Sequence, residues 1–359
     1  MRATVVRPIL FGVLAAALAF PQGDVLLRAQ QPPQKPPPQE QKQEKPAGEF
    51  QLSVEVPLVN VDVVITDNNG AFLEGLRREN FRVLEDGVPQ TITNFAPTDA
   101  PITMVLLIEF SKLGRGVFAY YSTIMAQSFL RQLKPDDWIA LVSYDLNTRI
   151  EVDFTRNKEE VRRTLMSMYF PGFSEAVLYD AVYETLDQLK DVKGKKSILL
   201  IGTGLDTFSK KNLDDVLKRL RETDVTIYTV IAGEDIILRA EARGAFEGTW
   251  GFVDRMNFAQ AKNQMSAFAN MTGGRFWAPR FEGQWSSIFS DVAESLRNQY
   301  SIGYSPSNRV RDGKLRKIKV QLVDASGAPL TVLDQKGKKI KYVIYAREGY
   351  LAPKPGVSD

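Results

Sequence analysis

Between residues 101 and 298, short apolar runs alternate with longer segments of helical period, and no other feature of the chain limits its fold so severely. The runs are Met104–Ile108, Trp138–Tyr144, Ser197–Ile201 and Val225–Ile231; the helical segments span 116–133, 157–168, 175–190, 211–222, 258–272 and 285–298. Unbroken apolar runs of this length are strands buried on both faces. Their alternation with helices predicts βαβ units and a doubly wound, mostly parallel sheet covered on both sides. Arg149–Phe154 follows the second run too closely for a crossover helix, so it reads as an antiparallel edge hairpin.

The flanks have a different period. Leu52–Thr66 alternates as a half-buried strand should, and Asp67-Asn68-Asn69-Gly70 turns the chain. Phe81–Gly87 and Gln90–Phe95 read as a hairpin about Asp86-Gly87. After Asn298 strands return at Gln299–Tyr304, Leu315–Val323 and Ile340–Tyr345. β character on both sides of the α/β stretch predicts a smaller all-β domain, 50–99 with 299–353, in which the α/β domain of 100–298 is inserted or by whose two segments it is flanked; 354–359 is a tail. Residues 1–30 read as a secretory signal: Arg2 and Arg7 precede the apolar run Ile9–Phe20, which is short for a membrane span of about 20 residues. The Pro- and Gln-rich stretch over 31–49 has nothing to bury and reads as a disordered linker. The expected location is secreted or periplasmic, with no membrane span once the signal is cleaved; retention of the signal as an anchor is the alternative.

Composition removes most chemistry. The 359 residues include no cysteine and no histidine, which excludes disulfides, thiolate nucleophiles, Cys/His zinc sites and every triad with an imidazole base. Oxygen ligands for a hard cation remain available. Net charge is +3, and the first 30 residues account for most of it, leaving 43 basic against 42 acidic residues. That balance gives no electrostatic case for nucleic acid.

Ligands of open parallel sheets bind beyond the carboxyl ends of the strands. Three stretches should meet there: Glu109-Phe110-Ser111-Lys112-Leu113, the segment Gly172–Asp180, and Gly202–Thr207. The element order, the LYDAV helix start and the strand end ILLIGTGLDTFSK resemble a von Willebrand factor type A (VWFA) domain, a Rossmann-like α/β fold. VNVDVVITDNNG, NFRVLEDGVPQ, QYSIGYSPSN, GKLRKIKV and REGYLAP are similar to the flanks of the secreted VWFA-related proteins of Acidobacteria, so the resemblance covers nearly all of 50–353.

The resemblance implies a metal-ion-dependent adhesion site: Asp-x-Ser-x-Ser after the first strand, a Thr before the third helix and an Asp after the fourth strand. Carried over, those positions fall on Glu109, Ser111, Leu113, Ala176 and Thr203. One ligand is kept, one is lengthened by a methylene and three are replaced, a degenerate set that should hold magnesium weakly if at all. Ser174, Glu175 and Asp206 are the residues from which a different, looser site could be rebuilt.

Other candidates have plain structural readings. Glu159-Glu160 and Asp214-Asp215 read as solvated helix acids, Asp136-Asp137 as a turn into the second strand, Gly273-Gly274 as a helix C-terminal cap and Lys193–Lys196 as a solvated basic turn. Aromatic loops near the same sheet end, with Tyr169, Phe170 and Phe173 in one and Phe246, Trp250 and Phe252 in the other, are candidate partner contacts; packing on one another as a satellite core is the alternative. The sequence therefore predicts a non-enzymatic module with no cofactor that binds a protein or envelope ligand. A metal-dependent adhesion domain with a rebuilt site, and a carboxylate/serine hydrolase, are the competing readings.

Overall fold

The computed structural model describes residues 58–97, 101–111, 124–125, 128–168, 173–234, 255–333 and 336–355. Its central element is a six-stranded sheet of β5 (Thr103–Glu109), β6 (Trp138–Tyr144), β7 (Thr148–Thr155), β8 (Lys196–Gly202), β9 (Thr226–Ile231) and β10 (Phe276–Trp277). The strand order is β10-β9-β8-β5-β6-β7, parallel except for β7, which is antiparallel to β6 at one edge. β10 is a two-residue strand that the sequence does not announce; β9 supplies its partners, Thr229 and Val230.

Alternate residues of β5 go to opposite layers. Met104, Leu106 and Ile108 pack on one side with α1 (Lys158–Ser167) and α5 (Gln284–Arg297), through Val161, Leu165, Phe289 and Val292. Val105 and Leu107 pack on the other with α2 (Leu178–Gln188), α3 (Leu213–Glu222) and α4 (Arg255–Thr272), through Val182, Leu186, Val216, Leu220 and Phe268. Each fully buried side chain of this kind stabilises the fold by about 1.5–3 kcal/mol relative to exposure.

Helix ends are set by caps. Asn157 accepts the Glu160 N–H and Asn212 the Asp215 N–H, so both asparagines stand before their helices instead of inside them. Asp215 returns a bond to the Asn212 N–H, a capping role in place of the solvated acid expected from sequence. Of the helix expected over 116–133, residues 116–123 and 126–127 lie outside the described residues. Its end is a 3₁₀ turn, Leu130–Gln132, in place of an α-helix running to 133.

The flanking segments pair with each other in two four-stranded sheets. One has the order β15-β1-β11-β4, from Tyr342–Ala346, Val59–Asp67, Gln299–Tyr304 and Ile92–Pro97; the other runs β16-β12-β2-β3, from Gly349–Leu351, Leu315–Leu322, Phe81–Glu85 and Val88–Gln90. Their facing sides share a core of Val61, Val63, Phe81, Val83, Ile302, Tyr304, Val320 and Leu322. The expected hairpin is shorter than its sequence: only Val88–Gln90 returns along β2, and after Thr91 the chain crosses to the other sheet to pair with β11. This sheet change carries Ile92 into the shared core.

Residues Glu55–Asp359 form one compact unit. At the joint between the β sheets and the helical layers, Gly273 (φ +81°) ends α4, as read from sequence, with the Gly274 N–H donating to the Ala269 carbonyl. Gly274 also lies so close to β9 that a Cβ would meet the Ile227 carbonyl oxygen at 2.0 Å. The Arg275 guanidinium is stacked among Phe72, Trp277 and Tyr345 at 5.8, 4.9 and 5.1 Å. The Lys193–Lys196 turn is not merely solvated, because its last two lysines are drawn into this joint. Lys195 Nζ donates to the Leu296 carbonyl (3.1 Å), and burial pulls its amine down to about 8; Lys196, 6% exposed, pairs with Asp224 at 2.8 Å.

Candidate functional site

Glu109 is the last residue of β5, opposite Tyr144 at the end of β6, and the next strand over, β8, ends at Gly202. This places the acid at the carboxyl end of the parallel strands, where α/β sheets form their sites. Its side chain is 2% exposed and both oxygens are occupied. Ser111 Oγ donates to Oε1 at 2.6 Å; the Thr203 backbone N–H and Oγ1 donate to Oε2 at 2.6 and 2.7 Å. Burial raises the Glu109 carboxyl above its usual range, and the bonds from Ser111 and Thr203 oppose that rise.

Gly202 makes room for this arrangement. A Cβ there would lie 2.5 Å from the Tyr144 hydroxyl and 2.8 Å from Glu109 Oε2. The Tyr144 side chain is fully buried and its hydroxyl has no hydrogen-bond partner among the described residues. Burial, reinforced by the charges of Glu109 and Asp206, holds its phenol well above the usual tyrosine range. Sequence reading missed Tyr144, and the only signal for it was its place at the end of a buried run.

Ala176, where the resemblance would place a Thr, is fully buried. Its backbone is engaged with the loop after β8: the Ala176 N–H donates to Thr207 Oγ1, and the Thr207 N–H donates to the Ala176 carbonyl, both at 2.9 Å. Val177 N–H donates to the carbonyl of Asp145, itself 1% exposed and held by both terminal nitrogens of Arg149. These bonds hold 175–177 outside the helix, so α2 begins at Leu178 and not at 175.

Asp206 faces the start of α2. Its Oδ1 accepts the Tyr179 N–H at 3.1 Å and the Ser209 hydroxyl, while Ser209 Oγ accepts the Asp180 N–H at 3.1 Å. Asp180 closes the arrangement by accepting the Lys210 and Lys211 N–H groups. The loop after β8 thus satisfies backbone donors at the α2 N-terminus, a role the sequence pattern did not show. Burial raises the Asp206 carboxyl, opposed by these bonds. Ser174 is exposed, and its N–H donates to Glu175 Oε2 at 3.0 Å.

An octahedral cation needs six oxygens with at least one carboxylate free to face it. Here Glu109, Ser111 and Thr203 are turned toward one another, Ala176 brings no side-chain oxygen and its carbonyl accepts from Thr207, and Asp206 is committed to α2. Among the described residues no group of three or more acidic side chains is placed to hold a metal. Among the described residues, the donors at this sheet end do not make the set such a cation needs. Leu113 lies outside the described residues, as do Tyr169, Phe170, Phe246, Trp250 and Phe252.

Two exposed aromatics stand on the latched loops around Glu109. Phe173 precedes Ala176 and is 43% exposed; Phe208, next to Thr207, is 63% exposed. Phe208 was missed in the sequence because a lone aromatic in a polar loop carries no periodic signal.

The chain matches no family model and no curated protein. Among solved structures it is similar to BatB, a conserved hypothetical protein from Bacteroides thetaiotaomicron, at 10% identity and TM-score 0.41, covering 55% of this chain and 99% of that one. It is also similar to the vWF domain of the type V pili tip protein Mfa5 from Porphyromonas gingivalis, at 12% identity and TM-score 0.42, covering 55% and 96%. An aerotolerance-related membrane protein from Bacteroides fragilis aligns at 12% identity and TM-score 0.41, covering 55% and 98%.

Proposed function

We propose that this chain is a secreted, non-enzymatic, von Willebrand factor A-like interaction module that binds a protein or envelope ligand without a metal, through the loops at the carboxyl ends of its parallel sheet. The observation that carries this reading is the closed network at Glu109: three donated hydrogen bonds from Ser111 and Thr203 occupy the carboxylate that the parent pattern would offer to a cation. Recognition then falls to the rim, where Phe173 and Phe208 leave aromatic surface in water on loops fixed by the Ala176–Thr207 bonds. Rigid, exposed aromatics are the residues on which interfaces concentrate their energy. Secretion is supported by the leader sequence.

Thermal melting with and without millimolar magnesium, manganese or calcium tests the metal-free reading. A cation at 100 times its dissociation constant would add about 2.7 kcal/mol; no shift is expected. A reproducible rise that disappears in Glu109→Ala would overturn it. For the rim, Phe173→Ala and Phe208→Ala are expected to change stability by less than about 0.5 kcal/mol, as exposed substitutions do. The same variants should weaken capture of the partner from native envelope extract. Unchanged capture by both, or early melting of both, would remove this face from consideration.

A further inference from the structure

A groove of about 760 Å³ lies where the β16-β12-β2-β3 sheet meets the ends of α3 and α4. It belongs to the opposite end of the parallel sheet from Glu109, since α3 and α4 carry the chain back from the carboxyl ends to the starts of β9 and β10. Its apolar wall consists of Leu84, Met271 and Leu315, the first two half-buried and the third 39% exposed. Three cations share the groove: Arg221 from α3 and the exposed Lys317 and Lys319 from β12. Among the described residues none of the three has a side-chain hydrogen bond or ion pair.

The two lysines alternate along one strand, so they share a face and stand about 7 Å apart. Two acids also line the groove. Asp86 Oδ1 accepts the Lys317 backbone N–H at 2.9 Å, and with Asp86 and Glu348 set against the three cations the groove keeps an excess of one positive charge. The volume is that of a small-molecule site, and an apolar wall with a few converging polar groups is the usual makeup of one.

We propose that this groove binds a free single-chain amphiphile with an anionic head, the head at Arg221, Lys317 and Lys319 and the chain along Leu84, Met271 and Leu315. The charge excess selects the head, and the apolar wall selects the tail. An acidic peptide would satisfy the cations but leave that wall wet.

Titration calorimetry of the full chain with sodium dodecanoate below its micellar concentration tests the site. One dodecanoate per chain is expected, with no binding of acetate or dodecyltrimethylammonium. The double variant Lys317→Glu/Lys319→Glu should bind at least tenfold more weakly at an unchanged melting temperature, because both side chains are exposed. Leu315→Asp should weaken binding similarly through the tail. Equal affinity for the cationic amphiphile, or full affinity in the double variant, would overturn the proposal. So would binding of hexaglutamate or of phosphatidylglycerol vesicles without binding of dodecanoate. Absence of any dodecanoate binding would also end it.

Discussion

Glu109 shows how an acid at a strand end can be held inside the protein. Its side chain reaches Thr203 on the adjoining loop and meets Ser111 two residues on, so its carboxylate is satisfied inside the protein. Its burial has a definite pH signature. Below the unfolded value of 4.5 both states hold the proton, and the stabilising effect of the neutral acid is complete. Above it the unfolded chain releases the proton while the folded chain, with its raised carboxyl, keeps it, so stability falls with rising pH until folded Glu109 itself ionises. Glu109→Gln keeps an acceptor for Thr203 and a polar group for Ser111 but cannot ionise. Urea denaturation from pH 4 to pH 8 should therefore show the variant gaining on the wild type as pH rises above 4.5. A constant difference between the two would mean that Glu109 titrates as it does in water. The location of this acid was legible in the sequence, at the end of an unbroken apolar run. Its closure by Thr203 was not, because the partner is 94 residues away.

The start of α2 depends on the loop after β8. No side chain of its own caps the helix, and Asp206, Ser209 and Asp180 fix the two segments to one another. Asp206→Ala should cost about 1 kcal/mol, within the 0.5–2 kcal/mol of an ordinary helix cap. Ser209→Ala should cost a similar amount. Because Ser209 Oγ donates to Asp206 and accepts from Asp180 N–H, the two substitutions share one network, and the double variant should lose less than the sum of the two. Chemical denaturation of the three variants measures this. Additive losses would show that the serine and the aspartate act separately. The LYDAV motif announced the helix, but its first turn was misplaced by three residues. The bonds that hold 175–177 out of the helix come from Asp145 and Thr207, and no local pattern encodes them.

Across the fold, the β sheets and the helical layers meet at a charged joint around Lys195, Lys196, Arg275 and Arg347, whose NH2 donates to the Thr223 carbonyl. Lys195 titrates at about 8 when folded against 10.5 in the open chain, because burial and the Arg297 charge outweigh Asp62 and Asp137. Between those values the unfolded state binds the extra proton, so this residue's contribution to stability rises with pH from about 8 to 10.5; below 8 its charge is a constant burden. Lys195→Met keeps the length and removes the charge. The variant should compare best with the wild type at pH 7 and lose that advantage as pH approaches 10. An advantage independent of pH would show that the Lys195 amine is fully solvated.

The apolar periodicity alone determined that the middle of this chain forms a parallel sheet with two helical layers, since strands buried on both faces must be apolar without interruption. Alternation in the flanks determined that they are strands with one wet face. The tertiary structure decided which strands pair: β1 lies between β11 and β15 because the two ends of the chain each hold half of one apolar interface, and neither half can be buried alone. It also decided what surrounds Glu109 at the strand end. Whether a buried acid faces a cation or a threonine depends on groups brought within 3 Å by folding, and such proximity across 94 residues leaves no trace in the local sequence.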